Sequence, residues 1–171
     1  MRASSPRHAP GRWTPGSTLM ATLFLAACAP GPKPMTHDQL TDFATRYAAA
    51  WSSQNPDSLA GFYTPQGSLT VNAGTPALGR PAVRAIAQGF MSAFPDMVVQ
   101  LDSVTQNGNK ATFYWLWTGT NSGPGGTGKA VRMTGFEEWT FAPDGLIAQS
   151  LGHYDEAEYQ RQLREGFQPA P

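Results

Sequence analysis

The spacing of apolar residues changes along the chain from helical to strand-like. Leu40, Phe43, Ala44, Tyr47 and Trp51 recur at intervals of three and four, the stripe of an amphipathic helix over 37–52. Thr36, with Gln39 three positions later, supplies a capping box at its start. Asn55-Pro56 breaks this helix, and Leu59, Phe62 and Tyr63 predict a second, short helix over 57–63. Residues 68–72 alternate and predict a short strand. Gly79-Arg80-Pro81 opens a third helix with Val83, Ile86, Ala87, Phe90 and Phe94 on one stripe, and Pro95 ends it. The period then falls to two. Met97, Val99 and Leu101 alternate with Val98, Gln100 and Asp102, and Asn107-Gly108 is a tight-turn signal. Strands follow at 111–120, 130–141 and 146–154, separated by a Gly-rich loop at 121–128 and an Asp144-Gly145 turn. Asp155 and Glu158 start a closing helix that runs to Glu165, and Gly166 stops it. Helices first and strands afterwards predict an α+β fold, three N-terminal helices packed on an antiparallel sheet.

The first 27 residues stand apart. Arg2, Arg7 and Arg12 make a positive start without an acidic residue, and Leu19 to Ala27 is a short apolar run ending in small residues. This is the layout of a secretory signal, and the run is far shorter than the roughly 20 apolar residues that span a bilayer. Leu25-Ala26-Ala27-Cys28 closes it, and Cys28 is the only cysteine in 171 residues. The motif resembles the lipobox of bacterial lipoproteins, which implies cleavage before Cys28, lipidation of its thiol, and a protein held to a membrane in the cell envelope, outside the cytoplasm. The Pro-rich stretch 28–35 reads as a stiff tether, 36–166 as the folded domain and 167–171 as a tail. With the leader gone, twelve acidic residues face nine basic ones, a balance that argues against nucleic-acid binding. No second cysteine is available for a disulfide, His37 and His153 lie far apart without zinc spacing, and the glycines at 123–128 lack a phosphate-loop context. We therefore expect neither a metal nor an organic cofactor.

Glu137 carries the most chemistry. Val131, Met133, Gly135, Glu137, Trp139 and Phe141 share one face of their strand by alternation, and that face is otherwise apolar. A carboxylate there must find partners or rise in pKa, and a carboxylate so raised is suited to taking a proton from a carbon next to a carbonyl. A structural pairing with Arg132, Arg84 or a tyrosine is the alternative. Glu138 points the other way. Trp115 and Trp117 share a face with Phe113, and with Trp139 they make an aromatic-rich sheet suited to a flat apolar or aromatic ligand as well as to a core. Tyr47 and Trp51 lie on the inner stripe of the first helix. Asn72 ends a strand and is a candidate polar handle. His153, near the end of the last strand, is a candidate proton relay. Asp155 reads first as a helix cap and Asp96 as turn chemistry. The loop 121–128 is a candidate gate.

Several stretches together are similar to the SnoaL-like polyketide cyclases of the NTF2-like superfamily. They are Ala50-Trp51-Ser52-Ser53-Gln54-Asn55-Pro56-Asp57, Gly79-Arg80-Pro81-Ala82-Val83, Ala93-Phe94-Pro95-Asp96, and Trp115 through Thr118-Gly119-Thr120-Asn121-Ser122-Gly123. Thr127-Gly128-Lys129, Asp144-Gly145-Leu146-Ile147, and Tyr154-Asp155 followed by Arg161-Gln162-Leu163 complete the set. The resemblance spans about residues 36–165. It implies a cone-shaped α+β barrel with a deep apolar pocket, and cofactor-independent cyclase or isomerase chemistry in those members that are enzymes. It places Glu137 where the cyclases carry an acidic general base, usually aspartate, and Asn121 where many relatives carry a histidine. Asparagine can donate a hydrogen bond there but cannot deliver a proton. It also implies a homodimer through the outer sheet face, for which Tyr114, Leu116, Phe136 and Tyr154 are the candidates. Fold alone does not give function, so three readings stand: a proton-transfer enzyme with catalytic Glu137 and His153, a non-catalytic carrier of a small hydrophobic molecule, and a dimeric assembly module.

Overall fold

The computed structural model describes residues 34–169. The signal segment, Cys28 and the tether up to residue 33 lie outside the described residues.

The first helix, α1 (His37–Ser52), forms where the pattern predicts it. Thr36 Oγ1 accepts from the Gln39 backbone at 3.3 Å, and the Gln39 side chain accepts from the Thr36 backbone at 2.9 Å. Leu40, Phe43, Ala44, Tyr47 and Trp51 are all buried. The second helix, α2 (Pro56–Ala60), is shorter than expected. Asn55 caps it by accepting from the Asp57 backbone at 3.1 Å, Pro56 supplies the preset φ of the first turn, and the helix ends at Gly61. Phe62 and Tyr63 therefore fall outside it, and Tyr63 instead begins strand β1 (Tyr63–Val71). The pairing of β1 slips between Tyr63 and Ser68, an irregularity that erases the alternation and hides half the strand from a period-two reading. A two-residue strand, β2 (Ala77–Leu78), also went unpredicted; it leads into α3 (Gly79–Ala93).

The remaining elements are β3 (Val98–Asn107), β4 (Lys110–Thr120), β5 (Ala130–Phe141), β6 (Ile147–Tyr154) and α4 (Glu156–Glu165). The six strands form one sheet in the order β2-β1-β6-β5-β4-β3. The expectation of an antiparallel sheet needs one correction, because β1 pairs with β6 in parallel. The chain leaves β1 through a helix and four strands before returning beside it, a crossover long enough to allow parallel pairing. Register shifts in β3 at Leu101/Ser103 and in β5–β6 at Thr140/Phe141 accompany the curvature of the sheet, since bulges bend strands. Helix α1 packs against β3, α3 against β1, and α4 against β5. The sheet thus closes around an aromatic core. Phe113 stacks on Trp139 with centroids 4.9 Å apart, and Tyr47 meets the same tryptophan edge-on at 4.9 Å. After α4 the Phe167 backbone donates to the Ala130 carbonyl at 2.7 Å, tying the chain back to β5.

Candidate functional site

The inner face of β5 carries Val131, Met133, Glu137, Trp139 and Phe141, all buried, as the alternation predicts. Glu137 retains only 6% of its surface. One carboxylate oxygen, Oε2, accepts three hydrogen bonds: from Ser150 Oγ at 2.6 Å, Tyr47 Oη at 2.8 Å and Trp139 Nε1 at 3.0 Å. Because the Tyr47 proton goes to Glu137, the short 2.7 Å contact between the two tyrosine hydroxyls is Tyr63 donating to Tyr47. Tyr47, Tyr63 and Ser150 have no exposed surface. The partner foreseen as an arginine or a tyrosine is thus tyrosine. Arg84 is engaged with Asp57 at 2.8 Å and Arg132 lies over the Phe167 ring.

Burial pushes the Glu137 carboxyl above its ordinary value, and the hydrogen bonds from Ser150, Trp139 and Tyr47 pull against that rise. Burial first, and the negative charge of Glu137 second, push both tyrosine hydroxyls well above their ordinary value, so both stay protonated donors.

Beside Glu137 lies a small apolar cavity of about 70 Å³ that opens towards solvent. Trp51 from α1, Phe90 from α3, Leu69 and Val71 from β1, and Met97 with Val99 line it. Trp115 and Trp117 from β4, Glu137 from β5, and Gly152 with Tyr154 from β6 line it as well. Oε1 of Glu137 accepts no hydrogen bond from any described residue, and Glu137 is the one carboxylate among the residues that line this cavity. Trp115 lies flat across β5 opposite Gly135. Any side-chain carbon at Gly135 would collide with the indole and with the His153 carbonyl, so glycine is what lets the tryptophan form a wall.

The other residues singled out from the sequence divide. Trp51, Trp115 and Trp117 line the cavity. Tyr47 and Trp139 sit behind Glu137 and reach the cavity only through it. His153 lies on the opposite face of the sheet, stacked on Phe136 at 4.7 Å with Nε2 3.4 Å from Glu138. Glu137 is paired with Gly152, and one residue further the strand turns its side chain outward, so His153 has no route to Glu137. Asn72 does not line the cavity. It adopts a left-handed backbone with φ of 49°, accepts from the Tyr154 backbone at 3.0 Å and donates to Glu156 at 3.2 Å, which fixes the end of β6. Asn121 organises its own loop, accepting from the Thr127 backbone at 2.8 Å and donating to the Ala93 carbonyl at 3.3 Å. With Gly123 also bonded to Ala93, this segment is moored to the end of α3, contrary to its expected role as a gate. Tyr154, expected on the outer face, instead lines the cavity. Asp96 does turn work, accepting from the Thr120 backbone at 2.7 Å, a bond that holds its carboxyl low. Among the described residues no group of three or more His, Cys, Asp or Glu gathers to hold a metal.

Two members of the Glu137 network escaped sequence reasoning. Ser150 shares an inward face with Gly152 and Tyr154, so alternation along β6 would have found it. Tyr63 was hidden by its assignment to a helix.

The fold has counterparts. A SnoaL-like domain model matches residues 44–150. A search of curated proteins finds no significant relative. Among solved structures, a hypothetical protein from Catenulispora acidiphila with a ketosteroid isomerase-like fold, crystallised with trimethylamine, superposes with a TM-score of 0.64 at 16% identity, covering 71% of this chain and 91% of that one. A SnoaL-like polyketide cyclase candidate from Jannaschia sp. CCS1 gives 0.68 at 17% identity, over 79% and 99%. TsrD from Streptomyces laurentii gives 0.66 at 22% identity, over 76% and 98%. At these identities the structures attest the fold, and the domain model attests the kinship: the chain belongs to the SnoaL-like domain family.

Proposed function

We propose that the protein binds a small, largely apolar ketone or related carbonyl compound and that Glu137 Oε1 removes a proton from the carbon next to the carbonyl, in cyclase- or isomerase-type chemistry. The observation that carries this reading is the asymmetry of one carboxylate. Its Oε2 is held by three donors, its Oε1 accepts from none of the described residues, Glu137 lines an apolar cavity, and no cation neutralises it among the described residues. A base works best with a pKa near the working pH, and burial moves Glu137 in that direction. With His153 turned outward and Asn121 committed to its loop, the indole N–H of cavity-lining Trp117, buried and without a hydrogen-bond partner among the described residues, is the donor left to steady an enolate oxygen. β-Tetralone, a bicyclic ketone with an acidic C–H, is a suitable probe. In deuterium oxide the protein should accelerate exchange of that hydrogen, followed by NMR, and Glu137→Gln should abolish the acceleration. Equal rates with wild type and variant would reject the base.

A second reading is favoured by the scarcity of polar groups around the cavity, namely a carrier that binds without turnover. Saturable β-tetralone binding with no Glu137-dependent exchange would select it.

The lipoprotein layout of the leader adds a location to the proposal: attachment to a bacterial membrane through lipidated Cys28, on the extracytoplasmic side. Among the described residues no helix is long and apolar enough to cross a membrane. Cys28→Ser should move the protein from the membrane to the soluble fraction, and unchanged fractionation would reject lipidation.

A further inference from the structure

We propose that Tyr63, acting through Tyr47, and Ser150 are positioning residues that commit Glu137 Oε2 to the protein and so reserve Oε1 for the ligand. The inference rests on the base reading above but concerns residues that reading does not use. Three facts support it. All three donors converge on the same oxygen, with Ser150 and Tyr47 the closest at 2.6 and 2.8 Å. The tyrosine relay has a fixed direction, because the single Tyr47 proton is spent on Glu137 and the Tyr63 proton is spent on Tyr47. The relay is also a dead end, for Tyr63, Tyr47 and Ser150 are fully enclosed and Trp139 is 1% exposed. A proton arriving at Oε1 therefore cannot leave through the back of the site, and it departs the way it came, into the cavity. The network orients the carboxyl and favours its ionised form without taking part in the transfer.

The groups facing Glu137 are few. Helix α1 contributes Tyr47, β1 contributes Tyr63, β5 contributes Trp139, and β6 contributes Ser150 and Gly152. Strand β4 places Phe113 opposite. The titratable ones are Tyr47, Tyr63 and, lining the same cavity, Tyr154; burial raises all three hydroxyls, so they stay protonated and the carboxyl responds to how many donors it has rather than to a neighbouring charge.

The test is a titration of the Glu137 carboxyl by infrared difference spectroscopy, with Glu137→Gln identifying its band. Hydrogen bonds to a carboxylate favour the charged form, so losing one must raise the midpoint. Tyr63→Phe keeps the ring, removes only the relay hydroxyl, and should raise the midpoint by about half a pH unit; Ser150→Ala, which removes a direct donor, should raise it by about one. A buried residue with a purely structural role would change the melting temperature and leave the midpoint alone. Midpoints equal to wild type in folded Tyr63→Phe would overturn the relay. Should that variant not fold, an unmoved midpoint in Ser150→Ala would overturn the proposal instead. The base reading fails separately: if Glu137→Gln still accelerates β-tetralone exchange, Glu137 is no base whatever these midpoints do.

Discussion

At the scale of single residues, the fate of Glu137 turns on what replaces it. Glutamine keeps the shape and offers a carbonyl oxygen to Ser150, Tyr47 and Trp139, while removing a charge from an apolar wall. Glu137→Gln should therefore melt no lower than wild type. Glu137→Ala leaves three buried donors unpaired and opens a hole, and should cost about 3 kcal/mol or more in denaturant unfolding. The pH dependence follows with a definite sign. The folded-state pKa of Glu137 is raised from an ordinary value of 4.5, so the folded protein holds this proton more tightly than the unfolded chain does. The contribution to stability is complete below 4.5 and is lost as pH rises through the folded-state value. Wild type should lose stability relative to Glu137→Gln over that window, and parallel pH–stability curves would contradict the burial of an ionisable carboxyl. Much of this residue was legible in advance: alternation put a lone carboxylate on an apolar face, and chemistry supplied the rest. Its tyrosine and serine partners come from α1, β1 and β6, and no local pattern announces contacts made across such distances in sequence.

At the scale of elements, the same divide recurs. Helix α1 and strands β4 and β5 carry long, regular patterns and appear where those patterns place them. Strand β1 does not, because its slipped register removes the alternation, and its parallel partner β6 lies far along the chain. His153 shows how sensitive a site is to such detail, since one step along β6 separates the cavity-facing Gly152 from a side chain on the opposite face. Gly152 itself offers a clean test of the cavity. A Cβ there would sit 3.6 Å from Glu137 Cγ and 3.5 Å from the Thr70 carbonyl, ordinary contact distances. Gly152→Ala should fold normally, and Gly152→Leu should fill the space beside Oε1 and eliminate β-tetralone binding by calorimetry. Helix α4 is held by one buried amide: Gln162 accepts from the Arg132 backbone at 2.6 Å and donates to its carbonyl at 3.0 Å. Gln162→Ala strands both backbone groups and should cost about 1–3 kcal/mol, with faster amide exchange in α4 than elsewhere.

At the scale of the whole molecule, the order of helices and strands and the order and spacing of the motifs were enough to place the chain in the SnoaL-like family. The cavity was not written there. Its walls come from α1, α3, β1, β4, β5 and β6, and it exists because Gly135 lets Trp115 lie flat and Gly152 leaves space in front of Glu137. The proton-transfer reading depends on whether that carboxyl is desolvated and within reach of a ligand. The most direct measurement is a pH titration of the Glu137 carboxyl carbon by isotope-edited NMR, assigned with Glu137→Gln, with and without β-tetralone. A midpoint clearly above 4.5, together with a resonance that moves as the probe saturates, is the predicted result. An ordinary midpoint and a resonance indifferent to the probe would contradict it.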